Sequence, residues 1–272
     1  MSKAEFTRAD IDQALSTLGL KTGDVIFSHS NIGFFGRPVG VKSAEEASAL
    51  FLDAIRERIG AAGTFVVPTF TYSFPNGEVY EPASSPSKMG LLAEYVRRRQ
   101  EALRSLDPIF SVAAIGARAA ELVSDLPENS FGPDSFFERF LKADGRILNL
   151  NFDAGSTFIH YVERELRAPY RFDKTFTGRI RVDGVERPGR ATIWVRYLSD
   201  DSLAAAFEGF DEAARAAGAF RTVALGRGQM GVISARDCLD IVKKTLTHRP
   251  WFLTRAERLG VTEPVIRREP TE

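Results

Sequence analysis

Asn149-Leu150-Asn151-Phe152-Asp153-Ala154-Gly155-Ser156-Thr157-Phe158-Ile159-His160-Tyr161-Val162-Glu163 reads as a strand end, a tight turn and the first turns of a helix. Asp153, Gly155 and Ser156 are turn and N-cap residue types, and the positions after them have helical rather than alternating spacing. On such a helix Thr157, His160 and Glu163 share a face, as do His160 and Arg164, because residues three and four apart are neighbours. A proton acceptor therefore follows directly on a strand, at the edge where open α/β sheets keep their ligands. Two readings stand side by side. His160 belongs to a site, or it is a hydrogen-bonded core histidine while Glu163 pairs with Arg167 on a solvated face.

Working back toward the N-terminus, strands and helices alternate. Thr7 or Asp10 caps a helix with Ile11, Leu15 and Leu18 on one side and Gly19 as its stop. Val25-Ile26-Phe27 is a strand that empties into Ser28-His29-Ser30-Asn31-Ile32-Gly33-Phe34-Phe35-Gly36. That loop has the small and hydroxyl-bearing residues of an anion nest, though its spacing matches neither a P-loop nor a dinucleotide fingerprint. Ser43 with Glu46 is a capping box for an amphipathic helix to Ile59. Thr64-Phe65-Val66-Val67 reads as a buried strand leading into Thr69-Phe70-Thr71-Tyr72-Ser73-Phe74, an aromatic loop of the kind that walls a ligand. A helix from Lys88 to Arg99 carries Glu94, whose plainer reading is a charge pair with Arg97 or Arg98. Ser111 to Gly116 is a strand, Ala117–Val123 and Phe136–Leu141 are helices, and Arg146 begins the strand that ends in the opening stretch.

Downstream the pattern changes. Thr177 to Val185 has the Asp183-Gly184 turn of a hairpin, and Ala191 to Tyr197 alternates like an exposed strand. A helix from Ser202 to Ala217, strands at Phe220–Leu225 and Met230–Ile233, and a helix from Ser234 to Thr247 follow. The expected fold is α/β: a mostly parallel central sheet covered by helices, with an antiparallel C-terminal section. Residues 1–272 form one domain on this reading, and the terminal Arg267-Arg268-Glu269-Pro270-Thr271-Glu272 frays.

Composition narrows the function. Thirty-six basic residues balance thirty-six acidic ones, so no global field favours nucleic acid or an anionic membrane. No apolar run approaches the roughly 20 residues needed to span a bilayer, and the N-terminus lacks a signal-peptide core, which makes a cytoplasmic protein the expectation. Cys238, the only cysteine, sits at a helix start and reads as a buried thiol. No His-Glu-x-x-His or cysteine set suggests a metal, and no Gly-x-Ser-x-Gly elbow supplies a nucleophile. His248 lies at a helix end, leaving His29 and His160 as candidates. A histidine, a carboxylate and a hydroxyl-rich loop suit general-base transfer to an amine or hydroxyl better than covalent catalysis.

Several motifs add to this in order: Gly23-Asp24, Ser28-His29-Ser30, Gly63-Thr64-Phe65-Val66-Val67-Pro68-Thr69-Phe70, Pro86-Ser87-Lys88-Met89-Gly90, Arg104-Ser105, Asp107-Pro108, Ser111 to Gly116, Asp144-Gly145 and Thr157 to Glu163. Together they resemble the aminoglycoside 3-N-acetyltransferase family, from about Leu18 through Gly178 and weakly beyond. On this basis residues 1–176 carry the family motifs and 177–272 are an integrated elaboration. The resemblance implies an α/β sandwich and an N-acyltransferase that uses acetyl-coenzyme A or another acyl-coenzyme A as cosubstrate, without a metal. It implies that Ser28, His29, Ser30 and Asn31 line the coenzyme site and that Ser105 and Ser111 touch pantetheine or phosphate. Thr69, Tyr72 and Phe74 would wall the acceptor cleft, and Asp153, with Asp125, Glu128 and Asp134, is among the carboxylates that can meet an amine. His160 would be the general base for direct transfer, Glu94 or Glu163 its orienting carboxylate, and Thr157 or a nearby amide the oxyanion donor.

The chain departs from the family in carrying Asp107-Pro108 where members acting on antibiotics commonly carry His-Pro, and in its neutral overall charge. The acceptor is thus an aminoglycoside or an amino sugar, free or nucleotide-linked, of antibiotic resistance, surface polysaccharide or secondary metabolism. A homodimer is compatible with this reading. The alternative is a protein of the same fold that binds coenzyme A or a nucleotide without turnover; retention of both His160 and Glu163 argues against it.

Overall fold

Alternate side chains of the strand Val25–Ser30 settle the layering of the molecule. Val25 and Phe27 enter one apolar core and Ile26 the other, as the two-residue period of a strand requires when both faces are covered. The computed structural model describes residues 5–267; the expected fraying beyond Arg267 lies outside them.

In chain order the first half comprises β1 (Glu5–Phe6), α1 (Arg8–Thr17), β2 (Val25–Ser30), β3 (Arg37–Pro38), α2 (Ala44–Ile59), β4 (Thr64–Pro68), α3 (Leu91–Arg97), β5 (Leu103–Arg104), β6 (Val112–Gly116), α4 (Ala119–Val123), α5 (Phe136–Lys142) and β7 (Arg146–Leu150). The second comprises α6 (Phe158–Glu165), β8 (Arg171–Val182), β9 (Val185–Arg196), α7 (Glu208–Ala216), β10 (Arg221–Leu225), β11 (Gly228–Ser234), α8 (Ala235–Leu246) and α9 (Arg255–Leu259).

The seven-stranded sheet runs β10-β11-β7-β2-β4-β6-β5. Its centre, β7-β2-β4, is parallel, and the pairs on both flanks are antiparallel. The α/β class is as expected, and the sheet is mixed: β6 returns against β4, and the C-terminal β10–β11 pair extends the same sheet beside β7. Helices α1, α2 and α3 cover one face; α4, α5, α6 and α8 cover the other. Phe27 sits there among Phe136, Phe137 and Phe140 at 5.1–5.9 Å between ring centroids, an edge-on cluster that fixes α5 over the sheet centre.

Local chemistry explains the helix limits. Thr7 and Asp10 form a reciprocal capping box at α1. At α2, Ser43 accepts from the Glu46 amide, while the Glu46 carboxylate takes the Lys42 amide at 2.7 Å. α3 starts at Leu91 rather than Lys88 because Gly90 has φ 95°. The helix expected from Ser202 to Ala217 is broken. Residues 201–203 form a 3-10 turn capped by Asp200, Ala205 then bridges Thr254, and α7 begins only at Glu208.

The hairpin β8–β9 is far longer than the expected one, twelve residues per strand around the Asp183-Gly184 turn. It folds back over the body through Tyr80, which bridges Ile180, and Asn129, which bridges Thr192.

Candidate active site

The turn from β7 to α6 is built around Asn149. Its side chain is fully buried, and its Nδ2 donates to the carbonyls of Asp153 and of Gly155, the latter at 3.0 Å. Asn151 adopts φ 61°, which an asparagine tolerates, and Ser156 Oγ accepts from the Phe158 amide as the helix starts. Phe158, Ile159 and Val162 then anchor α6 in the core, which leaves His160 and Glu163, one turn apart, on a common side.

His160 Nδ1 lies 2.6 Å from Glu163 Oε2. Glu163 is fully buried, and Tyr170 donates to its other oxygen at 2.9 Å. Arg171 Nε also stands 2.9 Å from Oε2; its N–H is not aligned for a hydrogen bond, so the contact is one of charge. Burial alone would raise the Glu163 carboxyl, but Arg171, His160 and the two hydrogen bonds outweigh it and hold it below its usual value. Burial and the Arg171 cation hold His160 below the ordinary imidazole value, against the opposing pull of Glu163. An ionised Glu163 can only accept, so the imidazole proton resides on Nδ1 and Nε2 keeps its lone pair.

His160 lines an open cleft of about 450 Å³ between α6, Phe110 and the inner side of the hairpin. Phe131 meets the ring edge-on at 6.0 Å and Phe207 lies at 5.7 Å, so apolar groups brace the imidazole on two sides. The arrangement can remove a proton from a nucleophile held in the cleft and can return it elsewhere.

A family profile described as Aminoglycoside 3-N-acetyltransferase matches residues 37–247, well over half of the chain. The chain belongs to the aminoglycoside 3-N-acetyltransferase family. Aminoglycoside N(3)-acetyltransferase VII of Streptomyces paromomycinus is 29% identical over 273 residues, covering 88% of this chain and 91% of that protein. Aminoglycoside N(3)-acetyltransferase IV of Salmonella sp is 30% identical over 212 residues, covering 73% and 77%. Among solved structures, AAC-IIIb in a binary complex with CoASH superposes with a TM-score of 0.76 at 21% identity, covering 90% of this chain and 97% of that one. The expected N-acyltransferase, of the EC 2.3.1 type, is thus met at the level of the family.

Within this aminoglycoside 3-N-acetyltransferase fold, several site residues stand elsewhere than expected. Glu94 does not hold His160: its carboxylate receives Arg97 Nε at 2.7 Å and the Ser87 amide at 2.8 Å. That clamp fixes the loop ahead of α3, and the carboxylate in contact with His160 is that of Glu163. Thr157, expected as an oxyanion donor, turns its amide and hydroxyl toward His29 Nε2, at 3.4 and 3.1 Å. His29 in turn pairs with Asn149 in the β2–β7 register and ties the sheet to the start of α6.

Ser105 and Ser111 are buried and engaged within the protein: Ser105 Oγ accepts from the Val112 amide, and Ser111 Oγ donates to the Thr69 carbonyl. Thr69 is buried in the same network, held by Arg104 through its carbonyl at 2.7 Å. Phe74 is core rather than cleft wall. It packs where Gly178 faces Gly189 across the hairpin, and a Cβ at Gly178 would come within 2.7 Å of its ring. Tyr72 is half exposed with φ 57°, on the rim of the aromatic loop. Asp153 lines a separate groove with Arg227, outside the cleft of His160.

Ser28, His29 and Ser30, expected in a loop, complete β2; Ser28 is buried, while Ser30 and Asn31 line a groove of about 650 Å³ with Gly33, Gly90 and Arg227. Cys238 is fully buried and burial pushes its thiol up, as expected of a packing residue. Tyr170, Arg171 and Arg227 escaped the sequence reading. The one available signal was Pro169 just past α6; the chain turns back there through Arg167 at φ 53° and the Ala168 amide bound to the Glu163 carbonyl, and Tyr170 and Arg171 meet Glu163.

Proposed function

We propose that this chain transfers an acetyl or other short acyl group from acyl-coenzyme A to a primary amine of an amino sugar or aminoglycoside, with His160 as general base. The observation that carries this reading is the His160–Glu163 contact at 2.6 Å, which engages Nδ1 and leaves Nε2 as the acceptor on a ring that lines the cleft. A neutral amine attacks the thioester carbonyl and forms the N–C bond. His160 Nε2 takes the amine proton, the C–S bond breaks, and the imidazolium returns the proton to the departing thiolate. A thioester is already activated, so deprotonation and alignment are what the protein supplies.

Glu163 keeps the proton on Nδ1 and stabilises the imidazolium, while Arg171 prevents the carboxylate from trapping it. The groove beside Ser30, Asn31 and Arg227 is our choice for the coenzyme: it is the part of the expected coenzyme loop that is accessible, and Arg227 supplies a guanidinium for phosphate. The CoASH complex of the AAC-IIIb relative supports a coenzyme A cosubstrate. Buried Cys238 offers no acyl-carrying thiol, which favours direct transfer. The whole chain acts as one acyltransferase unit on this proposal.

The test is thiol release from acetyl-coenzyme A, followed with a chromogenic reagent across a panel of amines. Release that depends on the amine supports the transferase. Release without any amine indicates hydrolysis, and coenzyme binding without release indicates an inactive binder.

A further inference from the structure

Two groups compete for one buried carboxylate. Oε2 of Glu163 faces His160 Nδ1 at 2.6 Å and Arg171 Nε at 2.9 Å, while Oε1 accepts from the Tyr170 hydroxyl at 2.9 Å. An arginine beside a carboxylate commonly takes both oxygens through two parallel N–H donors. Arg171 does not. Its Nη1 donates to the Trp194 carbonyl at 3.2 Å, and its Nε–H is buried without a hydrogen bond although the carboxylate is within reach. A buried donor left unpaired costs free energy, so another contact must hold Glu163 in the orientation that serves the imidazole rather than the guanidinium.

Tyr170 supplies that contact. The ring is fully buried in a small core of its own with Ala168, Tyr197 and Leu203, and Trp251 lies 6.0 Å away between ring centroids. The Tyr170 carbonyl takes the Tyr197 amide at 3.2 Å, which fastens this residue to the chain just past β9. A hydroxyl carried on a ring packed in this way fixes where Oε1 lies, and the plane of the carboxylate follows. Burial and the adjacent Glu163 raise the phenol well above its ordinary pKa, so it stays a donor.

We infer that Tyr170 is a positioning residue: its hydroxyl pins Glu163 Oε1, keeps Oε2 on His160 Nδ1 and withholds the carboxylate from a two-point pair with Arg171. Its effect on turnover rests on the transferase reading above; its effect on the His160–Glu163 contact does not. Tyr170 touches no reacting atom.

The test uses Tyr170→Phe, which removes only the hydroxyl, and the double variant Tyr170→Phe/Arg171→Met, which also removes the competitor. Two readouts are taken: the downfield Nδ1 proton resonance of His160 in protein labelled at its three histidines, and initial rates with acetyl-coenzyme A and kanamycin or glucosamine. The wild type should show the resonance. In Tyr170→Phe it should be lost, with kcat lower by about tenfold or more and the coenzyme KM within about twofold. In the double variant the resonance should return and kcat should rise above that of Tyr170→Phe. Should Arg171→Met fail to fold, Arg171→Lys replaces it, because an ammonium is a point charge without the guanidinium fork. A wild type without the resonance, or a resonance that persists in Tyr170→Phe, overturns the inference. So does a double variant in which neither readout recovers, which would make the tyrosine a packing residue only. Absence of amine-dependent release with both amines in the wild type counts against the transferase reading, and the resonance then decides the role of Tyr170 by itself.

Discussion

Arg171 Nε and His160 Nδ1 converge on one oxygen of Glu163, at 2.9 and 2.6 Å, so a single buried carboxylate serves a fixed cation and a titrating imidazole at once. The cation's charge lowers the His160 pKa, as burial does, while the carboxylate raises it. As the proposed base, His160 works when unprotonated, so activity should be lost as pH falls through this lowered pKa. The wild-type acid limb of kcat/KM should therefore lie below the ordinary imidazole value near 6.5. In Arg171→Met one lowering influence is gone, and the limb should move to higher pH. A pH–rate profile of both proteins measures it; an unmoved limb would separate Arg171 from the titration.

Glu163 holds Arg171 in a buried pair, and its own pKa is lowered by that cation and by His160 against the effect of burial. Glu163→Leu leaves the guanidinium unpaired inside the protein and should cost about 3–5 kcal/mol. Glu163→Gln keeps an acceptor for the Nδ1 proton but not the charge, so it should fold with a smaller loss while turnover drops on the order of 10²-fold or more. Denaturant titration gives the first number and initial rates the second.

His29 makes a pH prediction of opposite kind. Burial lowers its pKa to about 4, so the folded protein holds it neutral where the unfolded chain would protonate it. Stability from this group is complete above the unfolded value near 6.5 and declines as pH falls through the window down to about 4, by at most on the order of 3 kcal/mol. Replacing it in His29→Leu should flatten the stability curve across that window, although the contact with Thr157 is lost at every pH. Urea midpoints at several pH values between 4 and 7 would show whether the slope disappears.

Phe74 fills the space that two glycines leave in the hairpin, with Gly178 and Gly189 directly paired. Gly178→Val should destabilise by about 1–3 kcal/mol through overpacking, and Phe74→Ala by about 3–5 kcal/mol through the cavity it opens. Thermal unfolding of the two variants tests this, and a Tm equal to wild type in either would remove Phe74 from the packing that holds the hairpin down.

Short-range chemistry made much of the fold legible in advance. The caps at Thr7, Ser43 and Ser234, the strand at Val25-Ile26-Phe27 and the Asp183-Gly184 turn are decided within a few residues, and they fall where the sequence puts them. His160 and Glu163 were legible for the same reason, being one helical turn apart. What escaped depends on distant partners. Nothing local to β6 shows that it runs against β4, and nothing near Ser202 shows that Ala205 is drawn onto Thr254. Glu94 and Glu163 look alike in sequence, and only packing reveals that Arg97 claims one and His160 the other. Ser105, Ser111 and Thr69 are polar residues of a kind that contacts ligands, but the Arg104 network uses that polarity to join β5, β6 and the loop after β4.

If the imidazole at position 160 removes the proton from the attacking amine, as proposed, the turnover number of His160→Ala reveals it with least ambiguity. The expected result is a fall on the order of 10²–10⁴ in kcat while the KM for acetyl-coenzyme A stays within about twofold, because the ring would contribute to proton transfer and not to holding the coenzyme. A variant that turns over at the wild-type rate would contradict it.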